Sequence, residues 1–288
     1  MYRKATSGRL KDMNYIGNQL RWHLFLVVSA FKLLGPVKGL KYLGALPRAL
    51  VTKSRKSRAV YERMGVCMQR IGDLQVVWKH VDLGILSEIQ SGVYFMSLDF
   101  QMRDGYKILD AGAHVGTFAV LAGLLNPNGI IVAVEPENTN FQFLLDNIRA
   151  NRLKNVAALK VALSSESGQE KLYVDRVATG TNTLCADLLD ETQIVGVELV
   201  TTLSMDDLSK HFGVTKFDLA KIDIEGSEYK LLTERALERI DRLVMELHGS
   251  PGDMVRLVAK LKKLDYVVEL RHGEGVFQSQ TYLYAARV

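Results

Sequence analysis

Cysteine is scarce in this chain of 288 residues, which has only two. Cys67 and Cys185 stand far apart and in no metal-ligand spacing, so we expect buried, reduced thiols and a cytoplasmic protein rather than a disulfide framework. The sequence also lacks a zinc-ligand cluster, a P-loop and an internal repeat. These absences argue against disulfide scaffolds, zinc fingers, P-loop enzymes and repeat proteins.

No apolar run near the start is long enough to cross a bilayer. The longest, Trp22–Phe31, has about ten residues, whereas a spanning helix needs roughly 20. It also lacks a small-residue cleavage site in the position that a secretory signal requires. We therefore expect neither a transmembrane helix nor a signal peptide in this stretch.

Acidic residues are nearly absent from residues 1–60, which hold 13 Lys+Arg and the single acid Asp12. The rest of the chain has 24 Lys+Arg and 31 Asp+Glu, so the net charge of +5 divides into +12 on this basic arm and −7 on the remainder. Such segregation is typical of an arm that meets an acidic partner, such as an anionic membrane, a nucleic acid or another protein.

Two interpretations of the basic arm stay open. It forms a helical cap on the rest of the protein, or an interfacial helix on anionic lipid with Arg48 and the Lys53–Arg58 cluster near the headgroups. Nucleic acid is disfavoured as a partner, because aromatic residues are not interleaved with that cluster. Peripheral attachment to an anionic membrane surface is therefore one expectation for the arm.

The remainder of the chain alternates between strand and helix patterns, and its 48% hydrophobic content is enough for a full core. An entry element comes first, with a strand at Leu74–Trp78 and a helix at Leu83–Ser91. Alternation predicts a parallel sheet with helices on both faces. The predicted strands lie at about 106–110, 130–135, 156–162, 217–223 and 242–247, and the helices at about 115–125, 138–150, 204–210, 225–238 and 252–263.

The last two strand patterns, Tyr266–Leu270 and Thr281–Ala286, are only about ten residues apart. That leaves no room for a crossover helix, so the two strands must pair antiparallel. A doubly wound sheet with an antiparallel last strand is typical of methyltransferases, whereas the nicotinamide-binding variant ends on a parallel strand.

A glycine-bearing turn follows the first strand of the alternating region. The strand leads into Asp110, the turn contains Gly112 and Gly116, and the next strand ends at Glu135. Glycines let backbone approach a ligand closely, a helix N-terminus binds anionic groups, and an acid after the second strand can accept hydrogen bonds from a ribose. The pattern predicts a site for a nucleoside-bearing cofactor.

The turn differs from a dinucleotide fingerprint, since it has two glycines four residues apart instead of G-x-G-x-x-G. Asp110 would also repel a pyrophosphate. It suits the sulfonium and ammonium of S-adenosylmethionine, whose carboxylate can use the helix N-terminus near Val115 and Gly116. We therefore predict S-adenosylmethionine as cofactor, with a nicotinamide dehydrogenase as a distant alternative.

Acidic and histidine side chains follow two later strands. Asp223 and Glu225 should lie at the carboxyl end of a central strand, where they could orient the donor ammonium, hold a substrate hydroxyl or ligate a divalent ion. Glu225 and Glu228 could instead be acids of a helix's first turn. His248, after the next strand, can take a proton near neutral pH or serve a structural role. The polar loop Thr179–Thr183 could contact substrate or simply be a flexible connection.

Over about residues 72–288 the sequence resembles the FkbM family of S-adenosylmethionine-dependent methyltransferases. The resemblance implies methyl transfer, usually to an oxygen of a sugar, glycan, lipid or natural product. One departure is His114, where the family usually has asparagine, and the basic arm lies outside the resemblance. The motifs that carry it are Asp110–Phe118, Glu135–Phe141 with Leu144 and Asn147, Val161–Ser164, Val200–Leu208, Lys221–Glu228 and Glu246–His248.

The resemblance and the patterns together assign roles to individual residues. The ribose is expected at Glu135, and adenine near Ala162 and Ser164. His248 is expected as the proton acceptor, ahead of Asp223, and no residue is assigned to a metal. The predicted donor-binding residues are Asp110, Gly112, Ala113, His114, Gly116, Thr117, Glu135, Pro136, Asn140, Ala162, Ser164 and Asp223, and the predicted catalytic residues are His248, Asp223 and Glu225.

The sequence thus predicts an α/β protein with a doubly wound, mostly parallel seven-stranded sheet, an antiparallel last strand and an N-terminal helical extension. Residues 1–70 are assigned to the basic extension and 71–288 to a class I methyltransferase domain. A non-catalytic adaptor, which keeps the fold and binds a membrane or partner through its arm, is the alternative function. The acceptor and the oligomeric state are left open.

Overall fold

The computed structural model describes residues 67–71, 74–79, 94, 102–175, 180–272 and 280–288. Strands and helices alternate through most of this part of the chain. Its strands are β1 (Cys67–Ile71), β2 (Leu74–Trp78), β3 (Lys107–Ala111), β4 (Ile130–Val134), β5 (Val156–Leu159), β6 (Ala162–Leu163), β7 (Gly168–Asp175), β8 (Ile194–Leu203), β9 (Leu219–Ile222), β10 (Arg242–Glu246), β11 (Tyr266–His272) and β12 (Thr281–Arg287). Its helices are α1 (Thr117–Leu125), α2 (Asn138–Ala150), α3 (Met205–Phe212), α4 (Glu228–Leu231), α5 (Glu234–Leu237) and α6 (Pro251–Lys263), with a 3-10 turn at Ala186–Leu188.

Seven strands form the central sheet, in the order β11-β12-β10-β9-β3-β4-β5. β3 pairs parallel with β4 and β9, which also join parallel to β5 and β10, respectively. β12 lies between β10 and β11 and is antiparallel to both. The predicted doubly wound, mostly parallel sheet with an antiparallel last strand is confirmed.

Both faces of the sheet are buried, as expected where successive side chains of a strand point to opposite sides. Ile108 packs in one core cluster with Phe118 of α1 and Leu144 of α2. Leu109 packs in the other with Leu208 of α3, and that cluster also holds residues of α4, α5 and α6. The carboxyl ends of β3, β4 and β9 therefore meet at one edge of a rigid two-sided core.

Two predicted elements are divided in the structure. The single helix expected over about 225–238 is wrong: α4 and α5 are separate, because Thr233 adopts an extended backbone and its side chain caps α5 by accepting from the Ala236 amide. The strand expected over about 156–162 ends at Leu159. β6 then pairs with β8 in a separate three-stranded sheet, β6-β8-β7.

The N-terminal end of the described chain is a hairpin of β1 and β2. β1 crosses the boundary drawn between residues 70 and 71, so Cys67–Ile71 is strand and not helical extension. Val77 anchors β2 to α2, because its amide donates to Asn151 at 2.8 Å and its carbonyl accepts from the same side chain at 2.7 Å. Residues 1–66, the predicted helix Leu83–Ser91 and Thr179 lie outside the described residues. Within the described part, no helix is long and apolar enough to cross a membrane.

Candidate active site

A cleft opens at the carboxyl edge of the central sheet, beside the ends of β3, β4 and β9. It encloses about 780 Å³, a volume that includes its open mouth. Its position, where the strand order reverses on the two sides of β3, is where open α/β sheets bind ligands. The cleft is lined by Tyr94, Gly112, Ala113, His114, Phe118, Val134, Glu135, Pro136, Val161, Ala162, Leu163, Leu172, Gly180, Asn182, Leu184, Lys221, Asp223, Ile224, Glu225 and Ser227.

The two glycines of the turn after β3 are required by packing. Gly112 has φ 75°, and a Cβ there would lie 1.8 Å from the carbonyl oxygen of Asp223. Gly116 has φ 85°, and a Cβ there would lie 2.5 Å from a methyl group of Leu144. The Cβ position of each glycine is therefore occupied by protein, while Gly112 itself lines the cleft, where its backbone can approach a ligand. The turn is thereby pressed against the end of β9 on one side and α2 on the other.

His114 is the departure from the family pattern, and its backbone gives a reason why few residue types fit there. Its φ is 51°, in the left-handed region that asparagine, aspartate and histidine enter more readily than other non-glycine residues. Its amide donates to Glu135 at 2.9 Å, and the residue lines the cleft. Histidine therefore preserves the turn that asparagine would form.

Glu135 is held rigidly at the end of β4. One carboxylate oxygen accepts from the His114 amide and the other from the Glu137 amide, both at 2.9 Å. Each oxygen retains a lone pair for a further hydrogen bond. Burial raises the pKa of this carboxyl to about 7, against the opposing effect of the two amide hydrogen bonds. Glu135 is thus oriented to accept from a pair of vicinal hydroxyls.

Asp110 lies beneath the cleft and does not line it. Its side chain is fully buried, and the nearest cation is the Lys221 ammonium, 3.6 Å away. Burial raises the pKa of Asp110 to about 6, although Lys221 opposes the shift. The contact of Asp110 with the donor stays a prediction, and in the structure its neighbouring cation is Lys221, which is not among the predicted site residues. Its signal was a lone lysine within an otherwise apolar strand, Leu219–Ile222.

The other half of the cleft is formed by a charged cluster at the ends of β9 and β10. Asp223 and Glu225 line the cleft. His248 stands behind them, with Nε2 3.3 Å from Glu225 and 3.6 Å from Glu246, and Nδ1 2.9 Å from the fully buried Glu228. Ligand atoms of Asp223, Glu246 and His248 all lie within 4.8 Å of one another, so these three are the residues that could hold a divalent ion.

The charges in this cluster assign different protonation states to its members. Burial opposes the charged form of His248, but the carboxylates of Glu228, Glu225 and Asp223 outweigh it and raise the pKa of the imidazole to about 10. Burial and the neighbouring Asp223 raise the pKa of Glu225 to about 8. Burial acts in the same direction on Asp223, but Lys221 and His248 together lower its pKa below the ordinary value. Near neutral pH, Asp223 is the ionised carboxylate at the cleft and His248 is an imidazolium.

The loop of residues 180–185, the roof loop of the cleft, is hydrogen-bonded to the turn that carries Glu225. Thr183 donates its hydroxyl to the Glu225 carbonyl, and the Cys185 thiol donates to the Gly226 carbonyl at 3.5 Å. Gly180 and Asn182 of the same loop line the cleft, as the polar-loop interpretation expected. On the opposite side, Tyr94 donates its hydroxyl to Asp223 at 3.4 Å.

The predicted donor-site residues fall into two groups. Six line the cleft: Gly112, Ala113, His114, Glu135, Pro136 and Ala162; Asp223 also does so, from the charged half. Five are buried and lie outside the lining: Asp110, Gly116, Thr117, Asn140 and Ser164. Ser164 donates instead to Glu170 at 2.6 Å, which gives it a structural role at the start of the β6–β7 connection.

The sheet order and the glycine turn paired with an acid after the next strand define a class I methyltransferase. The chain belongs to the FkbM family: the methyltransferase FkbM domain matches residues 110–268. This family uses S-adenosylmethionine. The cleft residues fit that donor, because Glu135 offers two oxygens to a ribose and Val161 and Ala162 provide an apolar wall beside it.

Similar proteins include two methyltransferases with names that state an acceptor. The chain is 26% identical to the hexuronic acid methyltransferase AglP of Haloferax volcanii, over 78% of this chain and 90% of that protein. It is 26% identical to the 31-O-demethyl-FK506 methyltransferase FkbM of Streptomyces tacrolimicus, over 72% and 88%. A solved S-adenosylmethionine-dependent O-methyltransferase of Thermotoga maritima has 11% identity and a TM-score of 0.45, and covers 77% of each chain.

Proposed function

We propose that this protein transfers the methyl group of S-adenosylmethionine to a neutral hydroxyl oxygen of a sugar, glycan, lipid or other small molecule. The observation that carries the proposal is the juxtaposition within one cleft of a ribose-type acid, Glu135, and an ionised carboxylate, Asp223. The first suits the donor and the second suits a hydroxyl that must lose a proton.

The donor half supports binding without large rearrangement. We expect the turn at Gly112–His114 and the fixed carboxylate of Glu135 to meet the ribose, and Val161 and Ala162 to lie beside the adenine, because all of them line the cleft. When bound, the donor supplies an electrophilic methyl group on a positively charged sulfur. Apolar walls such as Phe118 and Val134 limit water near that group, which favours transfer over hydrolysis.

The charged half favours a hydroxyl over a carboxylate as acceptor. Asp223 and Glu225 line it, with Glu228 and Glu246 behind, against the two cations Lys221 and His248. The ionised carboxylate of Asp223 repels an anionic acceptor such as a uronate, and the oxygens of Asp223 and Glu225 can accept hydrogen bonds from the hydroxyls of a polyol. We therefore place this protein's acceptor closer to the hydroxyl of the FK506-type relative than to a hexuronic acid.

Asp223 is the group to which we assign proton removal. It is ionised and lines the cleft, whereas His248 stands behind it and already carries a proton near neutral pH. His248 then acts as a positioning residue, because its imidazolium pairs with Glu228 at 2.9 Å and lies beside the carboxyl groups of Glu225 and Glu246 on the acceptor side. This order reverses the expectation from sequence, which ranked His248 first.

Calorimetry with S-adenosylmethionine and incubation of cell extracts with isotopically labelled donor test the proposal. We expect micromolar-range donor binding and label incorporated through an ether-linked methyl group. A neutral glycoside and the corresponding uronate, added as competitors, separate the acceptor classes. Absence of donor binding would support the adaptor alternative, and label found in a methyl ester would contradict the hydroxyl assignment.

The basic arm supports a second, independent proposal about location. Its 13 Lys+Arg against one acid suit an anionic membrane surface. Co-sedimentation of the full chain and of a variant without residues 1–60, with vesicles of phosphatidylserine and phosphatidylcholine or of phosphatidylcholine alone, tests it. Binding that needs both the anionic lipid and the arm is the expected result.

A further inference from the structure

A single buried lysine connects the two halves of the cleft. Lys221 is only 5% exposed and lies in the middle of the sheet, on β9. Its ammonium donates to the Gly112 carbonyl at 2.9 Å, and lies 3.6 Å from Asp110 and 3.3 Å from Asp223. The first two partners belong to the donor half and the third to the acceptor half.

We propose that Lys221 is a positioning residue for the methyl donor: its ammonium holds the glycine turn in place and balances the buried carboxylates on either side. This inference rests on the proposed function, because it concerns how the same cleft binds S-adenosylmethionine. Lys221 is not assigned any contact with the reacting atoms.

The tether to the turn is the first part of the argument. Gly112 is already pressed against the Asp223 carbonyl, so the backbone of the turn has little room to shift toward β9. The Lys221 hydrogen bond holds the turn at the Gly112 carbonyl, next to the residues whose backbone and side chains face the donor. Charge-assisted hydrogen bonds of this kind are about twice as strong as neutral ones.

Charge balance is the second part. Asp110 is completely buried, and Lys221 supplies the cation that faces it. The other titratable groups that act on these two residues are Asp223, which lies 3.3 Å from the Lys221 ammonium and also acts on Asp110, Glu225, which interacts with Lys221, and Tyr94, whose ring centre lies 5.7 Å from the ammonium. Without the ammonium, the buried Asp110 carboxylate would keep the repulsion of Asp223 but lose its nearest cation, which favours the protonated form of Asp110.

The test compares Lys221→Met, which keeps much of the side-chain volume but removes the charge, with wild type and with Lys263→Met. Lys263 is an exposed lysine on α6 paired with Glu234, far along the chain from the cleft motifs. Binding of S-adenosylhomocysteine is measured by calorimetry from pH 5.5 to 8.5. We expect Lys221→Met to bind at least about tenfold more weakly at pH 7, and Lys263→Met to bind as wild type.

The pH profile separates positioning from general destabilisation. Glu135 changes its protonation state in wild type and in Lys221→Met alike, so its effect on the pH dependence of binding is the same in both proteins. The Lys221 ammonium lowers the pKa of Asp110, so its loss should raise that pKa. In the plot of affinity against pH, the midpoint assigned to Asp110, near pH 6 in wild type, should therefore move to higher pH in Lys221→Met. A merely structural change would weaken binding without moving this midpoint.

A double variant, Asp110→Asn with Lys221→Met, keeps the test decisive if the single variant does not fold. It removes the unbalanced charge together with its partner, and its donor binding should stay weak because the tether to Gly112 is still missing. The inference is overturned if either Lys221 variant binds S-adenosylhomocysteine within twofold of wild type, or if the Asp110 midpoint does not move in a folded single variant. Failure of wild type to bind at all would overturn the proposed function itself.

Discussion

The donor half and the acceptor half of the cleft are built by different means. The donor half consists mainly of backbone: a turn with two positive-φ glycines, a left-handed His114 and one carboxylate fixed by two amides. The acceptor half consists of charged side chains around His248, supported by burial and by each other. A shared donor requires one fixed geometry, whereas an acceptor site is set by side chains that can be exchanged singly.

The most direct test of whether the two halves act separately is Asp223→Asn, which removes the ionised carboxylate at the cleft. We expect methyl transfer to fall by about 10²–10⁴-fold, the usual contribution of a positioned base, with donor affinity changed much less. Single-turnover transfer and calorimetry measure the two quantities on the same preparations. If donor affinity falls as far as turnover, the two halves are not functionally separate.

Removing the Glu135 carboxylate of the donor half should have the opposite effect, with the larger loss in donor affinity. Glu135→Gln should weaken donor binding by about 10–100-fold at pH 8, since hydrogen bonds to a charged group contribute about 1.5–3 kcal/mol. Burial raises the pKa of Glu135 to about 7, so wild-type affinity should rise as the pH increases through 7. Titration calorimetry between pH 6 and 8 should show that the variant lacks this rise. If the affinity of Glu135→Gln rises with pH as steeply as that of wild type, Glu135 does not bind the ribose.

His248→Gln tests the same separation of the two halves and should lower turnover less than Asp223→Asn does. Turnover should fall by roughly 10- to 100-fold, because a small misplacement of groups around the reacting atoms costs that much, while donor affinity stays nearly intact. Normal turnover would contradict any role for His248 in the reaction.

The same variant has a defined effect on stability. The pKa of His248 is raised from 6.5 to about 10, so its ion pairs stabilise the fold fully below about pH 6.5 and lose that contribution as the pH rises through about 10. The free energy of unfolding of His248→Gln should therefore be lower than that of wild type at pH 7, and the gap should narrow above pH 10. Urea denaturation of the two proteins at pH 7 and above pH 10 measures this difference in the free energy of unfolding.

The smallest effect concerns His114. His114→Asn should leave stability and donor binding near wild type, because asparagine tolerates the same left-handed backbone. His114→Val should lower stability by about 1–3 kcal/mol, since a β-branched residue is strained there. Thermal unfolding of the two variants side by side checks the prediction. Equal loss in both would show that the imidazole itself, and not the backbone, is what the turn needs.

Sequence patterns predicted the mostly parallel seven-stranded sheet with its antiparallel last strand, and several of the residues that line the cleft, because both depend on local signals. Strand periodicity, the short gap between β11 and β12, and the acid after β4 can all be recognised without distant contacts. Lys221 and the proton on His248 could not be predicted in this way. Both depend on which charges the fold brings within about 4 Å, and the periodicity of a sequence does not contain that information.

The hydrogen bonds from Thr183 and Cys185 to the Glu225 turn join the charged half of the cleft to a segment outside the central sheet. Thr183 and Cys185 hold one end of a segment that belongs to the β6-β8-β7 sheet, outside the central seven strands. Relatives can therefore diverge in this segment, changing its length and polarity, while the central sheet and the donor turn stay constant. Grafting residues 164–203 between two such enzymes would accordingly be a direct route to a hybrid with new acceptor selectivity.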